Sequence, residues 1–393
     1  MNYQVMRCFS CAGLAAQLIL VVGCTSSAGL PAPADQIESL PEDAVAAVTV
    51  SPVDIKAKPG DSDARTILFN AEGTRLGSIV GPGIYSNRVL GLGDGLVTAT
   101  AEALINLTPE GRTDVPIGEH TIRAGTSASD ESAAILWFDA GRIDGASADS
   151  FAEIDSGGIV VGSVPGYVTT IAHCGEHHYA ISRDLLSLGG DQDWHHLYRS
   201  QRGGEPERIA SWEQESGYRS AYPSMVCAPD GSALHAIYAS PESRLDQTGS
   251  PGLSLVRIST ADGARTVMDL DIGGFDESVM RGTMALVDSV LYWITAAGEV
   301  LSVPVGTQAT GAVARASLVA ELPGGTDSLS AIRGTTIAHI DDSLAASYSE
   351  FDLLTGERDL GPIPLPWLDE LIDAHTKNRS NVLGMTGVLS LRD

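Results

Sequence analysis

TIAHIDDSLAASYSEFDLLTGE, residues 336–357, decides how the rest of the chain is read. Apolar and β-branched residues fill 336–340, the turn-formers Asp341, Asp342 and Ser343 interrupt them, and a second apolar segment covers 344–348. A third segment, 350–353, runs into a turn at Gly356. Short runs of this kind, punctuated by Asp, Ser and Gly and without an apolar stripe every three or four residues, are strands and hairpins.

The same strand-then-glycine pattern recurs outward along the chain. It is found at 66–69 with Gly73, 103–106 with Gly111, 134–137 with Gly141, 196–198 with Gly204, 254–257 with Gly263 and 300–303 with Gly306. With 350–353 and Gly356 this makes seven hairpins. Further apolar segments at 167–171, 179–181 and 290–294 supply inner strands for the same units. Four strands in roughly 40 to 50 residues is the size of a propeller blade. The sequence therefore predicts an all-β propeller of seven blades. Uneven glycine spacing leaves six or eight as competing counts, and a pair of β-sandwiches as the competing architecture. Residues 382–391 have strand character and 45–50 form a single strand ahead of the first hairpin, so the C-terminal segment is expected to complete the blade that the N-terminal one begins. One helix is expected, at 367–375 after the proline-rich 361–366.

Two stretches carry a resemblance to repeat families. Cys227-Ala228-Pro229-Asp230-Gly231-Ser232-Ala233-Leu234 resembles the turn of the WD-like repeats in Tol-associated periplasmic propellers, which implies that it joins two strands of one blade. Phe351-Asp352-Leu353-Leu354-Thr355-Gly356-Glu357 is similar to the hairpin of quinoprotein-type repeats.

At the N-terminus, Arg7 precedes an apolar stretch from Cys11 to Val22 that is shorter than the roughly 20 residues a bilayer requires. It ends in Leu20-Val21-Val22-Gly23-Cys24, which resembles the lipobox of bacterial lipoproteins. The resemblance implies a signal peptide at 1–23, acylation (palmitate among the acyl groups) of Cys24, a flexible tether at 24–43 and a propeller at 44–393. Cys8 and Cys11 would leave with the signal peptide. The alternative is an ordinary signal peptide with an incidental cysteine.

Composition narrows the function classes. The formal charge is -26, with lysine only at positions 56, 58 and 377, so phosphate backbones and anionic headgroups are repelled and nucleic acid is excluded as a partner. Once the signal peptide is removed, Cys174 and Cys227 remain beside Cys24. Outside the cytoplasm they form a candidate disulfide worth about 4 kcal/mol in the loop-entropy picture, and two buried free thiols are the alternative. Five of the nine histidines, His173, His177, His178, His195 and His196, fall in one unit. They are candidate ligands for a divalent cation, although strand and turn character argues for ordinary loop and surface histidines and no cofactor is expected. Asp269 and Asp271 hint at a calcium loop that lacks further acidic ligands, and an ordinary turn accounts for them better. Nucleophile-elbow, phosphate-loop and Cys-x-x-Cys signatures are absent from the sequence. The expected role is a lipid-anchored extracytoplasmic scaffold whose loops, 185–193 and 244–251 among them, engage an envelope protein or a small ligand. The competing role is a hydrolase or lyase at the channel mouth, with a bound cation.

Overall fold

Seven separate antiparallel sheets, each built on four successive strand positions, make up nearly the whole structure. This computed structural model describes residues 36–53, 63–117, 121–128, 130–143, 146–183, 192–215, 219–239, 252–274, 284–306, 311–324, 328–376 and 383–392. Blade 1 contains Leu383–Ser390, Ala46–Pro52, Asp63–Phe69 and Arg75–Pro82, in that spatial order. Blade 2 spans Leu90–Leu92 to Gly111–Pro116, and blade 3 spans Thr121–Ser127 to Gly158–Pro165. Blade 4 runs from Tyr167–Cys174 to Glu207–Glu215. Blade 5 has a split first strand, Arg219–Ser220 and Val226–Cys227, followed by Ala233–Ala239, Leu253–Ser259 and Arg265–Asp271. Blade 6 runs from Met284–Val287 to Ser317–Glu321, and blade 7 from Ser328–Arg333 to Arg358–Pro364.

The ring order follows from where the apolar side chains go. Successive strand residues point to opposite faces, and here both faces are apolar. In Ala133–Ile143, Ala134, Leu136 and Phe138 pack toward blade 2, while Ile135 and Trp137 pack toward blade 4. Among the described residues there are seven buried apolar clusters, one between each pair of adjoining blades. One of them joins blade 7 to blade 1 and closes the circle.

The closing strand Leu383–Ser390 pairs antiparallel with Ala46–Pro52, from Ala46 opposite Ser390 to Pro52 opposite Leu383, with one register shift between Thr49 and Val50. Phe69 meets Tyr348 edge-on across this seam at 5.2 Å, and helix Pro366–Thr376 inserts Leu368 into it. A buried carboxylate ties the same seam: Glu350 accepts from Tyr348 (2.7 Å), Ser390 (2.9 Å) and Arg392 (2.9 Å). Burial and the Glu350 carboxylate raise the Tyr348 phenol well above its ordinary pKa, so it remains a hydrogen-bond donor.

Seven blades, strand closure between the two ends and the helix agree with the sequence reading. Three details differ. Residues 134–137 lie in the second strand of blade 3, whose third strand is Ala146–Asp155, and Gly141 sits inside a strand. Two consecutive apolar strands follow each other there, so composition alone does not separate them. Residues 344–348 and 350–353 do not form two strands: Leu344 is fully exposed in the connection and Ser347–Asp352 is one strand. The third difference is the expected tether at 24–43. Its described part is docked, with Ile37 N donating to Ser78 O (3.2 Å), Leu40 N to Thr108 O (2.9 Å), and both side chains against the blade 1–2 cluster. Among the described residues no helix is long and apolar enough to cross a membrane.

The hairpin glycines do more than turn the chain. Gly263 and Gly356 have φ of +69° and +71°, and a Cβ on either would collide with Ala210 or Ala320 in the outer strand of the preceding blade. Gly231 has a similar φ, +71°, but open space around it. Alanine at 263 or 356 is therefore expected to lower stability by about 2–5 kcal/mol, combining left-handed strain with overpacking. Alanine at 231 should cost only the strain, about 1–2 kcal/mol. Denaturant melts of the three variants measure the difference.

Candidate functional site

The first strand of every blade faces a central channel, where residues of all seven blades enclose a cavity of about 330 Å³. The cavity lies where the first strands of blades 1, 3, 4 and 7 end, at Ser390, Ser127, His173 and Arg333. Its wall is largely aliphatic, with Leu90, Leu286, Ile332 and Val388 among the contributors. Among the polar exceptions are Arg333 and Glu131.

Arg333 of blade 7 reaches across this end of the channel to three other blades. Its Nε and Nη2 donate to the Glu131 carboxylate of blade 3 at 2.6 and 2.5 Å. Nη1 donates to Ser390 O of blade 1 (2.6 Å), and Nη2 also to Gly93 O of blade 2 (3.2 Å). The pair is bidentate and mostly buried, with side-chain exposures of 15% and 20%, which makes it stronger than a surface ion pair.

Glu131 occupies an unusual place. In its turn Ala128 N donates to Ala133 O (2.8 Å), Glu131 N to Ala128 O (2.9 Å) and Ser132 N to Asp130 Oδ1 (3.1 Å). The Ala228–Ala233 turn of blade 5 makes the same three bonds at 2.8, 2.8 and 3.0 Å. Glycine at 231 has φ +71°, whereas blade 3 puts Glu131 at +55°. A glutamate in a glycine's conformation costs on the order of 1 kcal/mol, and its carboxylate is what the cost delivers to Arg333. Sequence reasoning missed this second copy of the turn because the glycine that marks it is replaced.

Cys174 and Cys227 come together at the same end as a disulfide, with Cα atoms 5.5 Å apart, joining the first strands of blades 4 and 5. Main-chain bonds from Ile171 N to Pro223 O (3.1 Å) and Met225 N to Ile171 O (2.6 Å) stitch the same edges.

The five blade-4 histidines do not converge. His178 packs on Phe151 (4.5 Å) and Trp137 (6.4 Å) toward blade 3. His195 lies against Trp212 (6.0 Å), whose ring belongs to the blade 4–5 cluster. His177 contacts Gln201 (3.1 Å), and His196 contacts Ser211 (2.8 Å). Only His173 and His178 share a neighbour, the buried Glu153 of blade 3, at 3.9 and 3.7 Å. Alternation of strand faces separates the rest. Among the described residues no three His, Cys, Asp or Glu side chains are gathered as a metal ion would require. Asp271 caps its own turn through Gly273 N (2.9 Å) and pairs with Arg315 (3.1 Å), as an ordinary turn would. Cys24, residues 185–191 and the 244–251 loop lie outside the described residues.

No protein-family model and no curated protein matches the sequence. Among solved structures the chain is similar to a hypothetical selenium-binding protein from Sulfolobus tokodaii, at 10% identity and TM-score 0.50, over 89% of this chain and 94% of that one. It is also similar to the β-propeller domain of the Trilobed protease from Pyrococcus furiosus (11% identity, TM-score 0.46, 83% and 96% coverage). A further match is the tricorn protease (9%, 0.41), where 76% of this chain covers 34% of the other, so the chain spans about a third of that protein's length. At these identities the likeness concerns the fold alone.

Two outcomes are expected. Glu131→Gln keeps the turn and removes the ion pair, and should lower stability by about 1–3 kcal/mol. Added salt should destabilise the parent more than the variant, because only the parent has a charge pair to screen. The second outcome concerns acid. Burial first of all pushes His178, His195, His235 and His339 down to about 4 from 6.5. These rings are neutral when folded and take up protons on unfolding, so stability is intact above pH 6.5 and falls as pH drops toward about 4. The loss is at most roughly 3 kcal/mol per ring. Thermal melts across this window, with uptake of up to four extra protons on unfolding, check it.

Proposed function

We propose that the chain is an extracytoplasmic propeller, anchored by lipid on Cys24, that serves as a binding scaffold in a bacterial envelope. The Cys174–Cys227 disulfide is the observation that carries the location, because such bonds persist in oxidising compartments. The run Leu20-Val21-Val22-Gly23-Cys24 supports the same address independently. The membrane would then be met through lipid, since a charge of -26 disfavours adsorption to anionic headgroups.

A scaffold role is supported by the ring itself. Cavities and loops gather at the two ends of the first strands, while the apolar faces of the blades are consumed against each other. The partner would be an envelope protein or a small ligand. An extracytoplasmic hydrolase or lyase is favoured by one observation only, the Glu153 carboxylate between the His173 and His178 rings, with His173 on the channel wall. Stoichiometric retention of zinc or manganese by the purified protein, lost in His173→Ala, would shift the balance to that enzyme.

Feeding cells an alkyne-tagged palmitate should label the protein. Cys24→Ala should abolish the label and move the chain from the membrane to the soluble fraction. A labelled Cys24→Ala protein, or a mature N-terminus elsewhere, would defeat the anchoring. In-cell crosslinking through end-loop positions should recover a defined envelope partner.

A further inference from the structure

The opposite end of the ring, where the first strands of blades 7 and 1 begin, holds a second cavity of about 480 Å³. Arg88 lines it. This residue lies in the connection from blade 1 to blade 2, and the backbone around it is pinned. Ser86 N donates to Pro52 O (3.0 Å), Asn87 N to Ser51 Oγ (3.1 Å), and Asn87 Nδ2 to Ala99 O (2.7 Å) and Thr98 Oγ1 (3.1 Å). Arg88 N donates to Asn87 Oδ1 (2.8 Å), and Arg88 O accepts from Thr98 Oγ1 (2.9 Å).

The side chain has a single protein acceptor among the described residues, the Thr386 carbonyl, 2.9 Å from Nη1. Thr386 is the extra residue of a β-bulge, where the pairing of Leu383–Ser390 shifts between Thr49 and Val50, and the bulge presents its carbonyl to Arg88. No carboxylate among the described residues lies within ion-pair distance of this guanidinium. In a chain with 50 acidic residues and 24 basic ones, a half-buried arginine without an acid partner among the described residues is an anomaly. Guanidinium does not release its proton, and burial of an unpaired charge is costly. Desolvation accordingly pulls its pKa down, opposed only by Tyr85.

With Nη1 engaged, Nε and Nη2 are left as the two parallel donors that a carboxylate takes in bidentate fashion. Around them the cavity is lined by Leu329, Ile372 and Met385 as apolar wall and by Tyr85, Ser86 and Asp342 as polar residues, the Asp342 carboxylate making no ion pair with Arg88. Its volume is in the range of small-molecule sites. We propose that this cavity binds a small organic acid, with the carboxylate held by Arg88 and an apolar body against Leu329, Ile372 and Met385. It rests on the scaffold reading above and gives that scaffold a ligand class. The pinned backbone holds the guanidinium ready, so little ordering is needed on binding.

The test uses the full chain, with hexanoate and phenylacetate as probes, hexanol and phenylethanol as uncharged counterparts, and inorganic phosphate as a non-carboxylate anion. At least one acid should raise the melting temperature in proportion to its occupancy, while the alcohols leave it nearly unchanged. Arg88→Met should weaken that acid at least tenfold by calorimetry, and Arg88→Lys, which keeps charge but not the fork, should fall between. The ligand-free Arg88→Met protein should melt no lower than the parent, because the part-buried guanidinium has only one protein acceptor to lose. Four results each overturn the site: acids and alcohols acting alike, phosphate alone stabilising, an undiminished acid response in Arg88→Met, or a ligand-free Arg88→Met protein that melts well below the parent. Partner crosslinking in the same variants separates the two failures. If anion binding is absent while the envelope partner is still captured, this site fails and the scaffold stands.

Discussion

Every blade depends on being squeezed from both sides. An isolated four-stranded sheet with two apolar faces has no stable state in water, and the chain resolves this by giving each face a neighbour. The seven interface clusters are thus one continuous constraint, and it is satisfied only if the last blade meets the first. Pairing of Leu383–Ser390 with Ala46–Pro52 makes that meeting part of a blade rather than a loose contact. Burial of Trp137 and Trp293, each at most 1% exposed, shows how fully the squeeze is used.

Apolar pressure is non-directional, so polar groups set the register. Between blades 1 and 2 a buried ladder runs from Thr49 to Thr66 (3.0 Å), from Thr66 to Thr98 (3.0 Å) and from Thr98 to Asn87 (3.1 Å). Across the seam Glu350 gathers three donors. Buried groups of this kind are costly unless all are satisfied, which penalises slipped or miscounted arrangements more than correct ones. Arg333 extends the principle over the open end of the channel, where no sheet can reach. The two arginines at the two ends contrast sharply: Arg333 is saturated by protein, while Arg88 has one carbonyl.

Blade number and closure were legible in the sequence because glycine hairpins are local: Gly73, Gly263 and Gly356 mark third-to-fourth strand turns wherever the preceding blade leaves no room for a side chain. Blade 3 misled for the same reason, since Gly141 sits in a strand and the true turn carries Gly158. The Cys174–Cys227 pair, 53 positions apart, could be named from the count of cysteines left once the expected signal peptide is set aside. The site residues could not. Arg333 and Glu131 are 202 positions apart, and Glu131 hides its turn by standing where glycine is expected. Arg88 is a lone arginine in a loop, and only the fold reveals that no described carboxylate lies within ion-pair distance of it. The histidine run looked like chemistry because adjacency in a chain is visible, whereas the face each ring takes is not.

The connection leaving the third strand of blade 6 does not return directly. Val313–Arg315 first lies parallel along the rim of blade 5, bonded from Val267 to Asp271, and Arg315 pairs with Asp271. Blades 4, 5 and 6 are consequently lashed together, the first two by the disulfide and the last two by main chain at the periphery, whereas the described residues join blades 7 and 1 through side chains, Glu350 and Trp367 among them. The ring is therefore unevenly reinforced, and an engineer wishing to permute or lengthen it would leave this three-blade block whole.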